Sequence, residues 1–256
     1  MPMAKTRAIV LRTLKFGDTS RICTLYTRDY GKVKVLAKGA RTPKSRTGAG
    51  LNLFVENQVV FSLREGRELH TLGKCELVRE HRGLESDPLR FAHAAVAAEM
   101  VDRVSAGEEA RGELYDLLRE TLARLDAAPA DRLPLALWYF ALQLTALLGY
   151  LPRLDACASC GRPVGESGRL GMVEGGLLCA ACGTGREGTM ELTSGAVAIL
   201  RLLAREAWEP VSRVRPARPQ AAEIESALLG YLHAQALGPR ALRAMGVLRR
   251  LRKGWA

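Results

Sequence analysis

Four of the six cysteines stand at the spacing of metal ligands. They form two Cys-x-x-Cys pairs separated by residues 161–178, an arrangement typical of a tetracysteine zinc site. Two thiolates three positions apart on a tight turn can bind one ion, and four thiolates leave no coordination position for substrate or water. The sequence therefore predicts one structural Zn2+ ion per chain; redox-active dithiols and a metal-free hairpin are the alternatives. The predicted ligands are Cys157, Cys160, Cys179 and Cys182.

The segment between the two pairs has the pattern of a hairpin. Apolar residues at 170–173 and 177–178 flank the sequence Glu174-Gly175-Gly176, which predicts two short strands joined by a turn. Gly161 and Gly183 follow the two pairs, where we expect the turns to need the wider backbone freedom of glycine. Such a hairpin would bring the pairs face to face, in an arrangement that resembles a zinc ribbon.

A run of cations lies in the first third of the chain, and no acidic residue occurs between Tyr30 and Val55. Its first two lysines alternate along a strand and so leave the same face, while the others lie in a loop over residues 39–50. Such a surface offers phosphate contacts that hold a nucleic-acid backbone without reading its sequence. A solvated charged face is the alternative. The predicted DNA-binding residues are Lys32, Lys34, Lys38, Arg41, Lys44 and Arg46.

The net charge of +11 is unevenly distributed: +9 in residues 1–80, −4 in residues 81–239 and +6 in residues 240–256. This pattern favours a polyanionic partner contacted at particular places over a general excess of solubilising arginine. The last segment has an apolar stripe flanked by cations, which predicts a docked helix whose arginines cover the acidic middle of the chain. A partner helix and a membrane-surface helix are alternatives. The possible secondary DNA-binding residues are Arg243, Arg249 and Arg250.

Residues 3–80 have the pattern of an all-β unit, in which five runs of strand length are separated by turn-like sequence. They fit a small antiparallel barrel, and OB-like closure is the natural candidate because it removes exposed edges; an SH3-like barrel is the alternative. Four aromatic residues in and near these runs could stack on bases, although a core role is favoured for each. They are Phe16, Tyr26, Tyr30 and Phe54. The runs are residues 8–11, 21–26, 32–36, 58–63 and 69–78.

The pattern changes to a helical period at Asp87-Pro88, where Asp can cap a helix and Pro can occupy its first position. Residues 211–219 have the composition of a loop. The predicted fold is an α+β multidomain protein: an N-terminal antiparallel OB-like β-barrel, then an α-helical domain carrying a zinc-ribbon-like four-cysteine insert. The predicted divisions are 1–80 (DNA-binding OB-fold), 81–155 (helical), 156–184 (zinc element) and 185–256 (helical). Later helices are predicted over 113–125, 135–148 (apolar almost all round), 194–206 and 221–237.

Motifs of the common enzyme classes are missing from the sequence. The stretch Gly183–Gly188 matches GxGxxG, but it follows a cysteine pair instead of a strand. No P-loop, HExxH motif or nucleophile elbow is present, so we predict no catalytic residue and no enzyme. The longest apolar run falls far short of the ~20 residues that span a membrane. The start of the chain lacks the pattern of a secretion signal, so we expect a cytoplasmic protein. In that reducing compartment Cys23 and Cys75 are expected to be small buried apolar residues.

Together these residues resemble the RecO family of bacterial recombination mediators. The similarity lies in residues 7–11, Gly17–Arg21, Leu25–Thr27, Gly31 and Ala37–Arg41. The order of barrel, helices and four-cysteine insert is similar as well. The resemblance is specific in the N-terminal third and architectural in the helices. It implies an OB-fold domain, a helical second domain and a zinc-binding element. Because not every RecO-like protein keeps all four cysteines, it also implies a scaffolding role for the metal.

The resemblance implies a function in DNA repair and homologous recombination: binding of single- and double-stranded DNA without sequence specificity, and annealing of strands. The implied partners are RecR and the single-stranded-DNA-binding protein, and RecA indirectly, at the nucleoid. Lys38 and Arg41 lie within the matching signature, whereas the other four cations rest on the charge pattern. An RNA-binding or ribosome-associated OB/zinc-ribbon protein is the alternative. An adaptor whose basic patches meet acidic proteins is a third.

Overall fold

The computed structural model describes residues 2–42, 45, 48, 50–63, 66–105 and 109–254. Its contacts divide the chain into two compact units: residues 1–130 with 242–256, and residues 131–241. The four-part division of the chain stays a prediction. None of the described helices is long and apolar enough to cross a membrane.

Five strands of the first unit form a closed barrel in the order β1-β2-β3-β5-β4, with β4 pairing back onto β1. Neighbouring strands are antiparallel except β3 and β5, which pair in parallel. Closure gives each of these five strands a partner on both sides, and it confirms the predicted OB-like barrel. The strands are β1 (Met3–Phe16), β2 (Ser20–Thr27), β3 (Gly31–Ala37), β4 (Glu56–Ser62) and β5 (Leu69–Arg79).

Alternate residues of each strand fill the barrel. On β3, Val33, Val35 and Ala37 point inward and are buried, while the residues between them face outward. Cys23 lies in the same core and Cys75 packs against it half-buried, which is close to the apolar role expected for both. The side-chain period of two therefore decides which residues of the barrel can meet a partner.

Three helices follow the barrel: α1 (Arg82–Ser86), α2 (Pro88–Val104) and α3 (Gly112–Ala127). The Asp87 carboxylate accepts hydrogen bonds from the backbone N–H groups of Leu89 at 2.8 Å and Arg90 at 3.3 Å, which confirms the predicted cap of α2. The α3 helix is tied to the barrel, because the buried Tyr115 hydroxyl donates to Glu56 Oε1 on β4 at 2.8 Å. These helices belong to the same unit as the barrel.

The basic C-terminal segment forms helix α9 (Arg243–Gly254), which packs on α2. Its apolar stripe is buried there through Leu242, Met245 and Leu248. The Glu99 carboxylate of α2 accepts from the backbone N–H of Arg243 at 3.0 Å and of Ala244 at 2.8 Å. Glu99 therefore caps the positive end of α9. The predicted docked helix is thus observed, but its apolar stripe and the Glu99 cap hold it, whereas Arg243, Arg249 and Arg250 are exposed instead of covering the acidic middle of the chain.

A second polar contact joins α9 to α2 through a buried histidine. His93 Nδ1 lies 2.7 Å from the Leu89 carbonyl oxygen, so Nδ1 donates and Nε2 is left to accept. Arg252 Nη2 approaches Nε2 to 3.0 Å from α9. Burial lowers the pKa of His93 to about 4, which keeps the ring neutral and able to accept at neutral pH.

The second unit packs helices from both sides of the cysteine insert around one core. The core contains Trp138 and Leu142 from α4, Leu200 from α6 and Leu228 from α8, and the insert adds Leu177. Helix α4 is buried almost all round, as its sequence predicts. The unit's elements after the 3-10 turn Ala130–Arg132 are α4 (Leu133–Leu147), β6 (Gly168–Gly171), β7 (Gly176–Leu178), α5 (Ala180–Gly183), β8 (Thr189–Leu192), α6 (Ser194–Arg205), α7 (Trp208–Val211), α8 (Arg218–Leu232) and a π-helical turn (His233–Leu237).

The loop before α8 and the end of α8 differ from the sequence prediction. The loop predicted over residues 211–219 is shorter, since Arg218 and Pro219 already form the first turn of α8, where proline loses no hydrogen bond. The helix predicted over residues 221–237 changes to a π-helical turn at His233, and Gly238 follows with φ of 69°. Side-chain periodicity does not report such changes of backbone hydrogen bonding.

Replacing Glu99 with alanine removes the acceptor for two backbone N–H groups of α9. Loss of such a cap costs about 1 kcal/mol, so we expect the melting temperature to fall by roughly 2–4 °C. Hydrogen exchange of residues 243–248 should become faster. Glu80→Ala is the matched control, because Glu80 is exposed and forms no ion pair within the described residues. Unchanged exchange in Glu99→Ala would contradict the assigned cap.

Candidate metal centre and cationic barrel face

The hairpin of the insert brings the four predicted ligands together. Strands β6 and β7 form the predicted hairpin, and the structure adds its register, with Leu170 opposite Leu177, and a third strand, β8, beside β6. The sulfur atoms of Cys157, Cys160, Cys179 and Cys182 all lie within 4.8 Å of one another. The sulfurs of Cys160 and Cys179 are 3.7 Å apart. Four sulfurs at ~2.3 Å from one ion in a tetrahedron are roughly 3.8 Å apart, so the donor set fits a tetrahedral metal ion.

Backbone hydrogen bonds shape the two cysteine turns differently. In the first, Cys157 N–H donates to the Arg162 carbonyl at 2.7 Å, and Gly161 has φ of 75°, as expected of a glycine at this position. In the second, Cys179 precedes the short helix α5, and Gly183 closes it without a positive φ. A Cβ on Gly183 would lie 3.2–3.3 Å from Arg169 and Leu178 atoms. The expectation for Gly183 was therefore wrong: this glycine permits close packing.

An arginine that the sequence pattern did not single out contacts the sulfurs. Arg162 Nε lies 3.3 Å from the Cys160 sulfur, and Nη2 lies 3.7 Å from that of Cys179. This guanidinium lowers the pKa of Cys160. Backbone N–H donors, led by that of Cys179, lower the pKa of Cys157 to about 6. Hydrogen bonds with the Cys160 and Cys179 sulfurs instead raise the pKa of Cys182 to about 11. Because metals bind thiolates, the donors favour the metal-binding form at Cys157 and Cys160. The sequence could have indicated this contact, because Arg162 lies two residues after the predicted ligand Cys160.

The outward face of β3 carries the first predicted DNA-binding residues. Lys32 and Lys34 alternate with the buried valines and so leave the same face, but their surroundings differ. Lys34 is half exposed and its amine lies 2.8 Å from Glu68, which is itself largely exposed and whose pKa is lowered by this contact. Such an exposed pair contributes little and yields readily to another anion.

Lys32 differs from the prediction, which expected a line of cations without carboxylate partners. Its amine lies 3.2 Å from Asp102 Oδ1 and 2.5 Å from the Asp102 backbone oxygen at the end of α2. Arg12 of β1 also reaches Asp102, at 3.6 Å. A carboxylate from a helix thus neutralises one end of the predicted line. Local sequence gives no sign of this pair, because Asp102 lies 70 residues from Lys32 along the chain.

Two further cations of the predicted set, Lys38 and Arg41, lie just beyond β3. Lys38 is exposed and forms no ion pair with any residue that the structure describes. Arg41 is exposed too; its backbone N–H donates to Thr19 at 2.8 Å and its Nη1 to the Gly17 carbonyl at 3.1 Å. These bonds hold the start of the loop against the β1–β2 turn. Lys44 and Arg46 lie outside the described residues.

The four aromatic candidates separate by exposure. Tyr26 and Phe54 are buried and Tyr30 is partly buried, which agrees with the core role favoured for them. Phe16 is 50% exposed at the end of β1, so the favoured core role was wrong for this residue. Hydrophobicity alone favours burial, whereas the position of Phe16 at the tip of a hairpin leaves half of its surface uncovered.

The tail cations lie on the solvent side of α9. Arg243, Arg249 and Arg250 are exposed, and the buried stripe of the helix faces α2 instead. Their DNA-binding role stays a prediction.

Comparison with known proteins agrees with these features. A family model described as Recombination protein O N terminal matches residues 1–81, and one described as Recombination protein O C terminal matches residues 85–244. The chain is 38% identical over 238 residues to "DNA repair protein RecO" of Anaeromyxobacter dehalogenans (strain 2CP-C), covering 91% of each sequence. It is 36% identical to the protein of that name from Symbiobacterium thermophilum, covering 92% of this chain and 93% of the relative.

The cysteine cluster should bind one divalent ion per chain. We expect Co2+ added to metal-free protein to give the visible absorption of a tetrahedral tetrathiolate site, saturating at one equivalent. Cys182→Ser should abolish that spectrum, because three thiolates do not complete the tetrahedron. Cys75→Ala is the control, since Cys75 packs against the barrel core and should leave the titration unchanged. Equal spectra from both variants would refute the assignment.

Proposed function

Because this chain belongs to the RecO family of DNA repair proteins, we propose that it is a recombination mediator that binds single- and double-stranded DNA without sequence specificity. The observation that carries the proposal is the exposed cationic surface that runs from the middle of β3 to the residues just beyond its end. Lys34, Lys38 and Arg41 form this surface within the described residues. We add Lys44 and Arg46 from the sequence pattern alone.

The three described cations suit phosphate groups for different reasons. Lys38 has no competing carboxylate among the described residues. Lys34 can exchange the exposed Glu68 for a phosphate at little cost. Arg41 uses one of its five N–H donors on Gly17, which leaves a fixed guanidinium with further donors for a phosphate. Lys32 is assigned the smallest share, since its amine is already paired with Asp102.

Contacts of this kind explain binding without sequence preference. Phosphates are the same at every nucleotide, so lysine and arginine on a strand and a short loop hold the backbone in any sequence. Annealing of complementary strands then needs no energy source from the protein, because neutralised phosphates repel one another less. We therefore propose a non-enzymatic function, with no catalytic residue.

We propose zinc as the ion at the cysteine cluster. Four thiolate ligands favour Zn2+, which would hold the hairpin through coordination bonds and leave no open position for a reactant. The hairpin contributes Leu170 and Leu177 to the core of the second unit, so its ligands also hold that core together. The proposed role of the metal is structural.

The partners proposed for this mediator are RecR and the single-stranded-DNA-binding protein, and through them RecA, in the cytoplasm at the nucleoid. Membership of the family supports these assignments. The exposed cations of α9, Arg243, Arg249 and Arg250, are proposed as a secondary DNA contact, because docking on α2 leaves them facing solvent.

The double variant Lys38→Glu/Arg41→Glu should weaken binding of single-stranded DNA and flatten its salt dependence. Each phosphate contact contributes about 0.7 to the slope of log Kobs against log salt for single strands, so the slope should fall by roughly 1.4. Fluorescence anisotropy across a salt series with a labelled oligonucleotide measures both quantities. The melting temperature should change little, since both side chains are exposed and the Arg41 backbone bond to Thr19, which the variant keeps, still holds the loop.

The matched control is Lys5→Glu/Lys74→Glu. These exposed lysines both lie opposite Val60, on β1 and β5, so the control makes the same change in charge on another side of the barrel. It should lower affinity only slightly. Equal losses in both double variants would mean that net charge acts instead of a defined surface. A strong preference for RNA over DNA of the same sequence would favour the ribosome-associated alternative.

A further inference from the structure

The outer face of β1, β2 and β3 carries a strip of apolar side chains beside the cations. Leu14 pairs with Ile22, and Ile22 pairs with Leu36, so these three residues form one row across the strands. Phe16 extends the row along β1. Leu14 is 56% exposed, Phe16 is 50% exposed, and Ile22 and Leu36 are partly exposed. We call these four residues the apolar strip.

Cations border the apolar strip on both sides. The neighbouring row contains Arg12, Thr24 and Lys34 in register. Beyond the other side, Lys38 follows β3 directly and Arg41 reaches the β1–β2 turn. Carboxylates meet this border at its edges: Glu68 beside Lys34, Asp102 beside Arg12, and the exposed Asp18 in the turn. The apolar strip itself contains no charge.

We propose that the apolar strip binds the unpaired bases of a single DNA strand while the bordering cations bind its phosphates. Phe16 is the residue on which a base stacks. This inference rests on the proposed function. The strip crosses two strand spacings of about 4.8 Å, so it is roughly 10 Å wide and can take more than one base. Bases present an apolar face whatever their identity, and aromatic side chains on a barrel surface stack on them without reading sequence.

The arrangement of charge argues for a nucleic acid over a protein as the occupant. An apolar strip with positive charge on both sides matches a ligand that is flat and apolar in one part and anionic along its backbone. A duplex offers only the anionic part, because its bases are already stacked on each other. The apolar strip therefore adds affinity for single strands alone, whereas the cations serve both forms of DNA.

The test compares three probes on the full chain: a 25-nucleotide poly-dT strand, an abasic strand of the same length, and a duplex. Leu14→Ser/Phe16→Ser should bind poly-dT about 5-fold or more weakly, as expected for lost stacking. Its affinity for the abasic strand and the duplex should stay unchanged. Both residues are about half exposed, so their replacement opens no cavity, and the melting temperature checks the fold. Leu77→Ser/Val78→Ser is the control, since both are exposed apolar residues on β5.

The outcomes separate this inference from the function on which it rests. If the wild-type chain binds none of the three probes, the proposed function fails. If it binds all three and the Leu14/Phe16 variant equals wild type on poly-dT, only the base-binding role of the strip fails. Equal losses on poly-dT and on the abasic strand would also overturn it. A change from dimer to monomer by sedimentation, with unchanged affinity for poly-dT, would assign the strip to a second copy of this chain.

Discussion

The closure of five strands into a barrel is the constraint on which the proposed DNA surface depends. Each strand contributes alternate residues to a closed interior, and a slip of one residue would move every inward side chain outward. The parallel pairing of β3 with β5 closes the ring and holds Val33 and Val35 inside. Lys34 and Leu36 must then face solvent. The cations and the apolar strip follow from the same alternation.

Helix α2 limits that surface at one end. Asp102, in the last turn of α2, lies against Lys32 and Arg12, so the cations nearest the helix are paired with a carboxylate. Lys38 and Arg41, nearest the β1–β2 turn, form no ion pair with a described residue. The same helix receives α9 through Glu99 and His93. One helix therefore restricts the barrel face and anchors the C-terminal segment. Together the contacts put the barrel, its helices and the tail in one compact unit.

The cysteine cluster has a comparable role in the second unit. A hairpin of two short strands has little stability by itself. Its Leu170 and Leu177 pack with α4 and α8, and its turns bring four sulfurs within 4.8 Å. Arg162 adds a positive charge beside two of those sulfurs. Apolar packing and four cysteines that could bind a metal ion are thus combined in the same small element.

Local patterns in the sequence were enough to predict the five strands, the Asp87 cap, the spacing of the four cysteines that come together and the hairpin between them. Each of these is set by neighbours along the chain: alternation, a capping residue, or two ligands on one turn. The positive φ of Gly161 was predictable for the same reason. The same patterns also predicted the exposed cations Lys34, Lys38 and Arg41 and the docking of the C-terminal helix.

The tertiary structure alone decided which of those groups are available to a partner. Pairing of Lys32 with Asp102, exposure of Phe16, contact of Arg162 with the sulfurs and packing around Gly183 all depend on residues distant in the chain or on covering elements. Charge and hydrophobicity are properties of a residue, but exposure and neutralisation are properties of its surroundings. Those surroundings exist only once the strands have closed and the helices have packed.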